Sequence, residues 1–181
     1  QTVASKEYAD FVEKNQFWLL PYCAFCILRD THHTARFTDW GDYAVYDEAK
    51  VRMFLQQHAQ ERDKIAFTQF HLHRQLKNAA DAAHSLGVAI MGDLPVGIYR
   101  DSVETWTHPE LFDMEQQMGT MPSASDPVGQ NWGFPTYRWG VAVEDWMGKR
   151  LRYMEQFFDA VGIEHILSFF STWEIPLGAV T

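Results

Sequence analysis

A helical period that ends on a glycine and runs straight into an uninterrupted apolar stretch constrains this chain more than any other feature. Ile65, Leu72, Leu76, Ala79, Ala83 and Leu86 recur at intervals of seven, four, three, four and three residues, the spacing of one helix face. The spacing predicts a long helix from about residue 63, stopped by Gly87. Val88-Ala89-Ile90-Met91 follows at once and predicts a strand buried on both faces, as in a parallel sheet. The same order returns later. Met147, Leu151, Met154 and Phe158 mark one stripe of a second helix, and a strand is predicted from Val161 to Leu167. Helix, strand, long loop, helix, strand is the order of an α/β protein. In parallel folds of that class the chemistry sits at the carboxyl ends of the strands. Asp93 and Glu164 are the carboxylates at or near those ends, and strand alternation puts Gly162 and Glu164 on one face with Ile163 and His165 on the other.

Between the two pairs, from residue 92 to about residue 139, the chain is rich in Gly, Pro, Ser and aromatics and shows little periodicity. A connection of that length inside a compact domain is usually functional. Ahead of the first pair, Pro21 suits the first turn of a helix running to about Asp30, an earlier helix is predicted over residues 6–14, and residues 36–47 read as a loop. The two cysteines form one Cys23-Ala24-Phe25-Cys26 pair in a helical, aromatic-rich setting. Without a second ligand pair or a preceding thioredoxin-like strand, they read as two buried thiols. His71 and His73 lie two apart on a helix and point in different directions, so no metal site is expected.

The 181 residues suit one domain, but the chain starts at Gln1 and stops at Thr181 straight after an apolar stretch, which reads as a piece of something longer. With 46% hydrophobic and 15% aromatic residues a packed core is expected. A net charge of -9 without any Lys/Arg cluster argues against nucleic-acid binding. No apolar run reaches the roughly 18 residues of a membrane span and no signal peptide is visible, so the expected location is cytoplasmic.

Three stretches carry a resemblance. GDLPVGIYRDSVETWTHPELFD begins at Gly92, GQNWGFPTYRW at Gly129 and FFDAVGIEHILSFFSTWEIP at Phe157. In order and spacing they resemble the 4-α-glucanotransferases, the amylomaltases or disproportionating enzymes of the α-amylase superfamily. WLLPYCAFCILRD, from Trp18, and FTQFHLHRQLKNAADAAHSLGVAI, from Phe67, are similar to the same family, so the resemblance spans nearly the whole chain. It implies a fragment of a TIM-type (β/α)8 barrel around its third and fourth strands. Residues 63–181 would carry that barrel portion, with a long loop after the third strand, and residues 1–62 a helical subdomain or connecting region. It also implies transfer of α-1,4-glucan segments between maltose or maltooligosaccharides and a glycan acceptor, with retention, through a covalent glycosyl-enzyme and without a cofactor. Retention uses two carboxyl groups roughly 5 Å apart.

By resemblance, Glu164 stands at the nucleophile position, where the family pattern reads Arg-Ile-Asp-His; Asp93 matches an Asp that orders the site, and His165 matches the His after the nucleophile. Gln130, Trp132 and Tyr137 fall in the second stretch as substrate-binding candidates. Trp132, Tyr137 and Trp139 can equally be sugar platforms or a plug under the long loop, with core packing favoured for Trp139. Three departures stand out: Glu164 for Asp, Gly162 for Arg, and Met121-Pro122-Ser123-Ala124-Ser125 where the family has an aromatic lid. The acid/base Glu is expected beyond Thr181, in the remainder of the parent chain. These departures keep open an alternative, a carbohydrate-binding or regulatory protein that has lost turnover.

Overall fold

The structure, a computed structural model, describes residues 5–179, which divide into two compact units on either side of the Asp81/Ala82 junction. The first is helical. Helix α1, Lys6–His32, is capped by Ser5, whose hydroxyl accepts from the Tyr8 N–H at 3.2 Å, and closes on left-handed His33. Pro21 lies inside this helix instead of starting a second one. Its missing N–H leaves the Phe17 carbonyl without a helical donor, but Phe17 is 62% exposed. Leu19, Cys23, Phe25, Ile27 and Leu28 are all buried around the proline. At about 1.5–3 kcal/mol per buried large apolar side chain, they outweigh the roughly 3 kcal/mol that an internal proline costs.

Residues 36–47 hold two short 3-10 turns, Phe37–Asp39 and Gly41–Tyr43, and the Trp40 indole N–H between them donates to the Thr34 carbonyl at 3.0 Å. Helix α2, Glu48–Gln57, is an element the sequence analysis did not anticipate. Asp47 caps it by accepting from the Lys50 N–H at 2.9 Å, and Val51, Phe54 and Leu55 supply its buried face. Helix α3, Ala59–Ser85, starts four residues earlier than expected. The helix is present as its period predicts, but a different face is buried. Leu72 and Leu76 are 52% and 42% exposed and Leu86, 80% exposed, falls just past the helix, whereas Ala66, Phe70 and Ala80 are buried. The core of this unit mixes aliphatic and aromatic side chains, and Phe70 sets the orientation by packing 5.5 Å from both Tyr8 and Phe11.

In the second unit Gly87 ends the helix with φ +73°, as its left-handed stop requires. Strand β1 is Met91–Leu94, three residues later than expected and not buried on both faces: Gly92 and Leu94 are buried, Met91 and Asp93 exposed. Then comes helix α4, Val103–Thr107, with a Ser102/Thr105 capping box.

The stretch expected as a long loop is therefore folded. It continues through β2, Phe112–Asp113, β3, Gln116–Thr120, β4, Gln130–Asn131, and β5, Thr136–Tyr137. β2 pairs with β5 and β3 with β4, both antiparallel. The Arg100 guanidinium pins this segment by donating to the Met114 and Gln116 carbonyls at 2.5 and 2.8 Å.

Helix α5, Val141–Met154, buries Val143 and Met147 against Leu94, Val96, Ile98, Leu111, Phe112 and Met118, while Leu151 of its predicted stripe is 37% exposed. It leads to β6, Ala160–Ile163, parallel to β1. The strand expected to reach Leu167 stops at Ile163, because His165 is left-handed at φ +51° and its carbonyl accepts from the Ser168 N–H to open a 3-10 turn, Ile166–Phe169. Last, β7, Trp173–Pro176, joins the other edge of β3 antiparallel, a strand the sequence did not announce. Among the described residues no helix is long and apolar enough to cross a membrane.

Candidate active site

The register of the parallel pair builds the site. Met91 lies opposite Ala160, Gly92 opposite Val161, Asp93 opposite Gly162 and Leu94 opposite Ile163, so Glu164 is the first residue past the carboxyl end of β6. Asp93 and Glu164 thus emerge at the same end of two neighbouring strands, and both are exposed. Gly162 is more than a gap in charge. A Cβ built there would lie 2.7 Å from Asp93 Oδ1, inside any real contact, so the Asp93 carboxylate leans across the space that a side chain on β6 would fill.

Around this end the second unit gathers an aromatic and amide cluster. His165, held in its left-handed conformation, places its ring 4.7 Å from that of Trp132 at 44°. A strained backbone in a non-glycine residue beside candidate chemistry is a common mark of a functional site. The Trp132 indole N–H donates to Gln130 Oε1 at 3.0 Å, and the Gln130 amide donates to Asp126 Oδ2 at 3.1 Å.

Tyr137 stands apart from these residues. It is 6% exposed, its hydroxyl donates to the Val96 carbonyl, and burial pushes its pKa up, so its polar tip is spent inside the core. Trp139, 42% exposed, lies between Tyr137 at 5.0 Å and Phe169 at 5.1 Å. The segment at the lid position, residues 121–125, leads into a tight turn: the Ser123 N–H donates to the Asp126 carbonyl at 2.8 Å, and the Asp126 N–H donates to Ser123 Oγ at 3.1 Å.

Of the sequence candidates, then, Asp93 and Glu164 lie at the same end of adjacent strands, and His165, Trp132 and Gln130 form one contact chain, while Tyr137 is committed elsewhere. Asp126 escaped the sequence reading, since an Asp before Pro127 in a Ser-rich loop reads as a turn residue and nothing more.

Cys23 and Cys26 are free and buried in the first unit. Burial pushes the Cys23 thiol up to about 12 and raises that of Cys26, which leaves neither as a reactive thiolate near neutral pH. Among the described residues no group of three or more His, Cys, Asp or Glu side chains could hold a metal ion.

Comparison with known proteins bears on this arrangement. A family model described as 4-alpha-glucanotransferase matches residues 1–181. A 4-alpha-glucanotransferase DPE2 of Oryza sativa subsp. japonica is 40% identical over 183 residues, covering 98% of this chain and 19% of the rice protein. A 4-alpha-glucanotransferase of Thermus thermophilus is 32% identical, covering 96% of this chain and 37% of that one. Among solved structures, amylomaltase from Streptococcus agalactiae in complex with acarbose superposes with a TM-score of 0.84 at 26% identity, over 95% of this chain and 37% of that chain. Amylomaltase from Corynebacterium glutamicum, at 20% identity and a TM-score of 0.71, shares the fold. The chain spans only 19% and 37% of the length of the two sequence relatives.

Proposed function

The chain belongs to the 4-alpha-glucanotransferase family, whose model matches residues 1–181, and from that premise we propose that it is part of a retaining 4-α-glucanotransferase acting on maltose or maltooligosaccharides. β1 and β6 are then the third and fourth strands of a (β/α)8 barrel, residues 63–181 the barrel portion and residues 1–62 a connecting helical region. The protein works in the cytoplasm, a reducing compartment that suits two free cysteines.

In this reading the Glu164 carboxylate attacks the anomeric carbon of a bound glucan while an acid, supplied by a part of the fold outside residues 1–181, protonates the departing glycosidic oxygen. The resulting glycosyl ester on Glu164 is then opened by the hydroxyl of an acceptor sugar, whose proton returns to the acid/base group. Two inversions give net retention. Asp93, Gln130, Trp132 and His165 bind or orient the sugar. Tyr137 serves the site by anchoring the loop to Val96, as a plug and not as a sugar platform.

The observation that carries the reading is the parallel register, Asp93 opposite Gly162, which supports a pair of carboxylates at one end of adjacent strands. A second reading, sugar binding without turnover, is favoured by the same spot. The family arginine is absent at Gly162, and an opposite charge at such a position typically lowers a carboxyl pKa by ~1–3 units, keeping a nucleophile ionised. Incubating the longer protein with maltotriose separates the two. Free glucose together with longer oligomers supports the transferase, and binding with no new oligomer supports the second reading.

A further inference from the structure

We propose that Asp126 is a positioning residue for this site, acting through Gln130 and Trp132 on the ring of His165; the proposal rests on the reading that His165 adjoins the nucleophile position. The amide of Gln130 is used at both ends. Nε2 donates to Asp126 Oδ2 at 3.1 Å, and Oε1 accepts from the Trp132 indole N–H at 3.0 Å. A carboxylate only accepts and an indole N–H only donates, so these two partners permit one orientation of the amide and forbid its flip. Fixing the amide fixes the indole, whose ring lies 4.7 Å from that of His165.

His165 needs such a partner. It sits past the end of β6 in a left-handed conformation, so no strand neighbour directs its ring. The residue at the far end is itself held through its backbone. The Asp126 N–H donates to Ser123 Oγ at 3.1 Å, and the Asp126 carbonyl accepts from the Ser123 and Gly129 N–H groups at 2.8 and 3.2 Å. The short polar turn at residues 123–126 thus supplies an anchor of its own, and the state of that loop is transmitted to the residue next to Glu164.

The test is the proton NMR signal of the His165 ring, identified by its loss in His165→Gln. In the parent the neighbouring Trp132 ring displaces this signal from the position of an exposed histidine. Asp126→Ala is expected to return it toward that position, Asp126→Asn to keep it displaced because the carboxamide oxygen still accepts from Gln130, and Gln130→Met to reproduce the alanine result by cutting the next link. Denaturation curves confirm that each variant is folded. In the longer protein Asp126→Ala is expected to raise KM for maltotriose about two- to tenfold, the worth of one hydrogen bond, with less change in kcat. An unmoved His165 signal in Asp126→Ala, or equal displacement in the Ala and Asn variants, overturns the proposal. Absence of transfer in every form, the parent included, overturns the transferase reading while the NMR result still decides the role of Asp126.

Discussion

With no side chain at position 162, the Asp93 carboxylate reaches toward the neighbouring strand, and an added Cβ would come within 2.7 Å of its Oδ1. Any side chain there, an arginine included, must first turn Asp93 aside. On the proposed reading Glu164 adds the opposite change, one methylene more than the aspartate it would replace, where catalytic groups tolerate about half an ångström of error. The two substitutions are therefore expected to matter jointly. Gly162→Arg with Glu164→Asp in the longer protein should raise kcat/KM for maltotriose at least about tenfold, a gain of ~1.4 kcal/mol in the barrier. Gly162→Arg alone should gain less, because it displaces Asp93 without shortening Glu164. Steady-state assays of the two variants check this, and equal gains would count against coupling. The missing charge was legible in the sequence. The encroachment of Asp93 was not, since it depends on which residue of β1 faces Gly162.

Where the strands enter, at the end away from Glu164, one carboxylate ties three elements together. Asp159 accepts from the Ile90 N–H at 2.9 Å ahead of β1 and from His84 Nε2 at 2.8 Å on the last turn of α3, while its own N–H donates to the Ile90 carbonyl at 2.9 Å ahead of β6. The Ile90 N–H first, and His84 second, hold its carboxyl below the ordinary value of 3.8. A depressed carboxyl stabilises the fold above its ordinary pKa, and the benefit is lost as pH falls through the lower folded value. Asp159→Asn should consequently melt below the parent at pH 7, with the gap closing as pH drops beneath 3.8. Thermal melts across that range test the sign, and a gap that widens on acidification would contradict it. Helix α3 with its glycine stop could be read from spacing and the two parallel strands from their apolar runs, yet their edges and faces could not. Phe70 against Tyr8 and Phe11 decides which side of α3 is buried, and a left-handed His165 decides where β6 ends. Strands as short as β2, β4 and β5 have no period to detect, and the burial around Pro21 overrides a local breaking signal.

At the scale of the molecule, the family showed in three ordered stretches of sequence, and the match across residues 1–181 agrees with it. The geometry adds a parallel strand pair whose common end carries Asp93 and Glu164, and a contact chain that runs from Asp126 through Gln130 and Trp132 to His165. Everything in the functional account depends on Glu164 being the group that bonds to sugar, and trapping it is the most direct test. The longer protein is treated with a fluorinated α-glucosyl fluoride, which forms a glycosyl-enzyme that turns over slowly, and its peptides are then weighed. The account predicts one glycosyl mass on the peptide containing Glu164, absent in Glu164→Gln. An adduct on Asp93 or elsewhere, or turnover of maltotriose that survives Glu164→Gln, would contradict it.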